Sequence, residues 1–278
     1  MPVPLALFSL FFASLLQTAP RQLAIVNSNL YQFEDGPRVP PGYSFVPGET
    51  AFLTFQVRGY RVSKEDRILL AHEIEALDAR GIRLMETARG KISAELAPED
   101  KGWLPGVRQG IPIPPLADSG AYRILVSVKD ELSGQEAKLE IHFEVRGREV
   151  EPSQTLVIRN FRFLRGEQDR EPLAVPVYRP GDRMWARFEI TGYRIGEKNL
   201  IHVEYDVSVI GPTGKILFSQ PQAAAEKTAP FYPHRYLPGL LSLNLEPNVD
   251  RAEYTLLVAL RDEVGKQTYE ARERFRVE

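Results

Sequence analysis

Residues 180–218 read PGDRMWARFEITGYRIGEKNLIHVEYDVSVIGPTGKILF, and residues 47–85, PGETAFLTFQVRGYRVSKEDRILLAHEIEALDARGIRLM, align with them without a gap. Pro47 pairs with Pro180, Phe55 with Phe188, Gly59-Tyr60-Arg61 with Gly192-Tyr193-Arg194 and Gly81 with Gly214, each at an offset of 133 residues. Within both copies apolar and polar residues alternate. Ala51, Leu53, Phe55 and Val57 in the first, and Met184, Ala186, Phe188 and Ile190 in the second, fall on one face of a strand, the pattern of a half-buried sheet. A repeat this long, built from two-residue alternation and turn residues, predicts one β-domain copied once.

The register extends in both directions. Leu23–Leu30 repeats as Leu156–Phe163, and the Pro-rich stretches 34–46 and 167–179, which break regular pairing, suggest an edge or a crossing loop in each copy. Ile201 to Val209 alternates up to Gly211-Pro212-Thr213-Gly214 and returns from Lys215, a hairpin; its copy, Ile68–Leu77 followed by Asp78-Ala79-Arg80-Gly81, has helix-like composition, but the duplication overrides propensity. Beyond Leu104-Pro105-Gly106 and Leu237-Pro238-Gly239 one residue is lost, and at an offset of 132 Tyr122 pairs with Tyr254 and Asp130-Glu131 with Asp262-Glu263. A final hairpin is expected across each acidic pair, with Asp130 and Asp262 bonding to nearby backbone amides. The expectation is an all-β chain of two tandem antiparallel β-sandwiches with about seven strands each. A signal peptide covers 1–19, and the sandwiches span 20–149 and 150–278, joined through the charged segment RGREVEPSQ at 146–154.

Composition bounds the function more than it defines it. The chain has 278 residues, 26% of them charged, with a net charge of -2, which gives neither the basic stripe of a nucleic-acid binder nor an acidic tail. Zero cysteines exclude a disulfide framework, a thiolate metal site and a cysteine nucleophile. Residues 5–16, LALFSLFFASLL, form an uncharged apolar run too short to span a bilayer and suited to a signal-peptide core, which places the protein outside the cytoplasm: secreted or periplasmic, at the cell surface, or held to the membrane through an uncleaved N-terminal segment.

Asp118-Ser119-Gly120-Ala121-Tyr122 resembles the D-S-G-x-Y of the tyrosine corner in immunoglobulin-like domains, and Asp250-Arg251-Ala252-Glu253-Tyr254 occupies the equivalent place in the second copy. The resemblance is to the broad superfamily of immunoglobulin-like sandwiches found in tandem in bacterial secreted and surface proteins. It implies that the hydroxyls of Tyr122 and Tyr254 bond back to backbone near Asp118 and Asp250. It implies no disulfide, because Ile124 and Leu256 stand where the cysteine would fall. Such sandwiches host unrelated roles, so the resemblance speaks for fold rather than function.

Candidate sites are few. His72, His142, His202 and His234 have no histidine at their repeat partners, and no G-x-S-x-G, H-E-x-x-H or phosphate-binding glycine loop is present, so no catalytic residue is assigned and the reading is non-enzymatic. His202, Glu204 and Asp206 share one strand face but stand ~7 Å apart, a spacing that suits a solvated polar row better than a metal site. No metal and no cofactor is assigned. Phe231-Tyr232-Pro233-His234-Arg235-Tyr236 is the most distinctive stretch that the copies do not share, replacing Pro98–Trp103, and its aromatics and arginine have the composition of a contact surface. Trp185, on the nominally wet face of its strand, is a second candidate contact. A lid over the sandwich end remains the competing reading for the loop, with Tyr236 the member most suited to packing. The expected partner is a protein or glycan of the cell envelope. The function expected is a non-catalytic binding or structural module, with a carbohydrate-binding or enzyme-accessory protein as the alternative.

Overall fold

The computed structural model describes residues 22–100 and 102–278, so the expected signal peptide at 1–19 lies outside the described residues. The first unit runs β1 (Ala24–Tyr31), β2 (Ser44–Phe45), β3 (Thr50–Arg58), β4 (Arg67–Leu77), β5 (Ala88–Glu95), β6 (Gly106–Pro112), β7 (Gly120–Asp130) and β8 (Glu136–Val145). The second repeats it as β9 (Val157–Leu164), β10 (Val177–Tyr178), β11 (Arg183–Thr191), β12 (Ile201–Ile210), β13 (Ile216–Thr228), β14 (Tyr236–Asn244), β15 (Glu253–Asp262) and β16 (Gln267–Val277). Each unit packs a three-stranded sheet on a five-stranded one. The orders are β1-β3-β6 with β2-β8-β7-β4-β5, and β9-β11-β14 with β10-β16-β15-β12-β13. Among the described residues no sheet crosses from one unit to the other.

Two elements depart from the sequence reading. Each Pro-rich stretch contributes a two-residue strand, β2 or β10, that pairs in parallel with the last strand of its unit, which raises the strand count from about seven to eight. The return strand of the second-unit hairpin continues to Thr228, far past Phe218, because a bulge opposite Asp206 lets β13 bend and resume pairing at Ala224. The first-unit copy of the outgoing strand β12, with helix-like composition, is strand β4, and Gly81 in the turn that follows takes φ +82°, a left-handed conformation suited to glycine.

The alternating residues supply both cores. Leu53 and Phe55 of β3 meet Leu70 and Ile74 of β4 and Ile124 and Val126 of β7; Phe188 of β11 stacks on Phe161 and meets Tyr205 edge-on. Burial of such side chains stabilises a fold by about 1.5–3 kcal/mol each.

A second set of repeated residues holds the loops. The Asp130 carboxylate is buried; one oxygen accepts from the amide of Leu132 (2.9 Å) and the other from the amide of Arg61 (2.8 Å) and the Ser133 hydroxyl (2.6 Å). Asp262 does the same for Val264 (3.0 Å), Gly265 (2.9 Å) and Arg194 (2.9 Å). Gly-Tyr-Arg is repeated because the aspartate of the last hairpin pins it. The first strand is tied to the same hairpin: Gln135 Oε1 accepts from Leu23 N and Gln267 Oε1 from Leu156 N. Gly59 and Gly192 adopt φ of +77° and +78°, and a Cβ there would collide with the carbonyls of Gln22 and Thr155. The hydroxyls of Tyr122 and Tyr254 donate to the carbonyls of Asp118 and Asp250 at 2.8 and 2.7 Å, at the start of β7 and β15.

Candidate functional site

The distinctive residues converge where the two units meet. The loop before β14 carries Tyr232 into the end of the first sandwich, where it is 4% exposed and packs with the first unit's core. Its hydroxyl donates to Asp78 Oδ2 at 3.0 Å. Asp78 opens the β4–β5 turn and is itself buried; its Oδ1 accepts from the amides of Arg80 and Ile82, both at 2.8 Å, and Arg80 Nη2 lies 3.2 Å from Oδ2. Arg80 then donates to Asp118 Oδ2 at 2.6 Å, and Arg235 of the second unit approaches the same oxygen at 3.9 Å. Burial first, then the neighbouring Tyr122 and Asp78, push the Tyr232 hydroxyl far above the usual phenol range, so it stays a neutral donor.

The connecting segment is fastened on both sides. Ser119 Oγ donates to Gly147 O at 3.1 Å on the first unit, and Arg148 donates to Glu189 Oε1 at 2.6 Å on the second. Glu189 is wholly buried on β11, with Arg162 3.4 Å from the same oxygen. Thr191 Oγ1 donates to Arg235 O at 3.1 Å, and Tyr193 Oη to His234 O at 2.7 Å, so the loop rests on its own sandwich as it reaches across. A cleft of about 210 Å3 remains between the units, lined by Arg80, Asp118, Arg148, Thr191, Arg235 and Tyr236.

This arrangement corrects the outward-facing reading of the 231–236 loop. Tyr232 and Tyr236 are buried in the chain's own junction, because a socket at Asp78 takes the phenol that the loop presents. His234 is partly buried, and burial lowers its imidazole pKa. Phe231 and Arg235 keep exposed surface. Trp185 does lie on the outer face, in register between Leu164 and Ser242, with the Arg183 guanidinium 5.8 Å from its ring centre, a cation–π cover supplied by its own strand.

The polar row of β12 is closed on itself. Arg261 of the neighbouring β15 forms a two-pronged pair with Asp206 and reaches Glu204 at 3.4 Å. His202 Nε2 lies 2.9 Å from Glu204 Oε1, and Gln222 donates to both carboxylates. His202 foremost, then Arg261, holds Glu204 below the usual carboxylate range, and Arg261 does so for Asp206. Two carboxylates saturated by a guanidinium, an imidazole and the Gln222 amides form a cross-strand ion-pair network. Among the described residues no group of three histidines or carboxylates is placed to hold a metal ion.

Sequence reasoning missed Asp78, Arg80, Glu189 and Arg148. A signal for the first two existed: at the repeat offset Asp78 corresponds to Gly211 and Arg80 to Thr213, while Tyr232 corresponds to Glu99 and Arg235 to Gly102. Positions that break the repeat in one copy face positions that break it in the other. At the opposite tip of the first sandwich, Trp103 is exposed at an open cleft of about 440 Å3 with Tyr60, Val62 and Arg58. An indole at such a mouth offers a flat apolar face to a sugar ring or an apolar side chain.

No family model and no curated protein matches the chain. Among solved structures, it is similar to the C-terminal domain of the Streptococcus pyogenes antigen I/II-family protein AspA, at 9% identity over 93% of this chain and 99% of that one, with a TM-score of 0.32. The C-terminal domain of the Streptococcus agalactiae AgI/II polypeptide BspA is similar at 10% identity over 92% and 99% of the two chains, again with a TM-score of 0.32. No helix among the described residues is long and apolar enough to cross a membrane.

Proposed function

We propose that this protein is a non-catalytic module of the cell envelope, secreted or periplasmic, whose two immunoglobulin-like sandwiches are fixed to each other so that they act as one rigid binding or structural unit. The observation that supports this is the use made of the buried carboxylates. Asp78, Asp130, Glu189 and Asp262 all take hydrogen bonds from the chain itself: Asp130 and Asp262 pin loops and hairpins, Glu189 pins the junction, and Asp78 does both. An enzyme of this size concentrates such groups in a cleft open to substrate. Here they are spent on holding shape.

Rigidity is measurable because the chain lacks cysteine. Spin labels at Lys138→Cys and Thr268→Cys, one in each unit, should give a single narrow distance, and Tyr232→Ala with Arg235→Ala should broaden it while both sandwiches stay folded. A parent distribution as broad as the variant's would refute the rigid module. The envelope assignment rests on residues 5–16, and fractionation of cells making the full chain should recover it outside the cytoplasm; recovery in the cytosol would overturn that part alone.

A further inference from the structure

In each unit the five-stranded sheet ends in an edge strand on the side away from its two-residue strand, and the two copies treat that edge differently. In the first unit that strand is β5. Its core-side residues Ala88, Gly90, Ile92 and Ala94 are small or tucked against the core, and Arg89, Lys91 and Glu95 alternate on the other side. Charges and a short span protect a free edge from pairing with another chain. In the second unit the strand is β13, and its first half lacks the charges. Ile216, Leu217 and Phe218 are 55%, 57% and 41% exposed, and no charged residue occurs between Lys215 and Glu226. Phe218 pairs with Val209 on the core side of the sheet, yet it keeps 41% of its surface exposed. Pro221 and the left-handed Gln222 (φ 48°) end this open run, leaving residues 216–220 as the free segment.

We propose that residues 216–220 of β13 are a self-association edge whose occupant is the same segment of a second copy of this chain. Antiparallel pairing about a two-fold axis at Phe218 sets Ile216 opposite Gln220, Leu217 opposite Ser219 and Phe218 opposite itself. The two five-stranded sheets join into one, and the two phenyl rings cover each other. The absence of charge on the segment argues for itself as partner, since no like charges meet and a charged peptide would find nothing to pair with. Five residues make a small contact, so association is concentration-dependent.

The test again uses the absence of cysteine. Two copies paired at Phe218 place Ser219 side chains about 8 Å apart and Ala225 side chains about 46 Å apart, from strand spacings. A short bis-maleimide should link Ser219→Cys into covalent dimers and leave Ala225→Cys monomeric, and sedimentation of the parent should show a dimer fraction that rises with concentration and is lost in Phe218→Arg at unchanged melting temperature. Equal linking at both positions, or a parent that stays monomeric at millimolar concentration, would overturn the proposal. Should Phe218→Arg misfold, Leu217→Lys at the same edge gives the same readout.

Discussion

At the scale of single residues, the repeat separates side chains that make the sandwich from those that join two of them. Tyr122 and Tyr254 each donate to a carbonyl four residues back, and each is buried beside the final strand: Tyr254 stacks on Phe275, and Tyr122 lies tilted against Phe143. Removing the hydroxyl leaves a carbonyl unpaired, so Tyr122→Phe and Tyr254→Phe should each lower stability by about 1–3 kcal/mol. Calorimetry with the two sandwiches resolved should show each loss in one unit only; an unchanged melting temperature would deny the hydroxyl that role. Asp130 and Asp262 were legible in the sequence as turn formers, because aspartate bonds readily to amides two and three residues ahead. Their second bond, to the amide of Arg61 or Arg194, was not, since that amide is 69 or 68 residues away. Local chemistry can be read along the chain; its distant partner is known only once the fold sets it.

At the scale of elements, alternation and turn residues were enough to place β3, β11 and β12 and their core faces, and the repeat carried the assignment to β4. They were not enough for β2 and β10, whose two residues carry no period, or for β13, where the bulge at Pro221 and Gln222 breaks the alternation. The same bulge brings Gln222 N to Asp206 at 2.6 Å, so an irregularity in one strand completes the polar row of the next. The row's candidacy for metal and its real partner, Arg261, could not be separated in sequence, because cross-strand neighbours depend on register.

At the scale of the whole molecule, the loop singled out for being different faces inward, with Tyr232 buried against Asp78. Asymmetry between copies marks what is particular to one position, and here the position is the junction. Because burial holds the Tyr232 hydroxyl neutral, its pKa in the folded chain lies above the ordinary value of about 10, and the stability it contributes is present below that pH and lost as pH rises past it. Other buried tyrosines, Tyr178 and Tyr193 among them, shift the same way, so the comparison needs the variant. Between pH 9 and 11 the melting temperature of the parent should fall more steeply than that of Tyr232→Phe; parallel slopes would remove Tyr232 from the alkaline transition.

The latch also sets an order of events in time. Asp78 and Tyr232 are 154 residues apart, and a chain made N-terminus first at about 5–20 residues per second presents Asp78 roughly 8–30 s before its partner exists. During that interval the first sandwich folds around an open socket, with its carboxylate still hydrated. Water leaves the socket when the Tyr232 hydroxyl takes its place, so the first half of the molecule waits for the second.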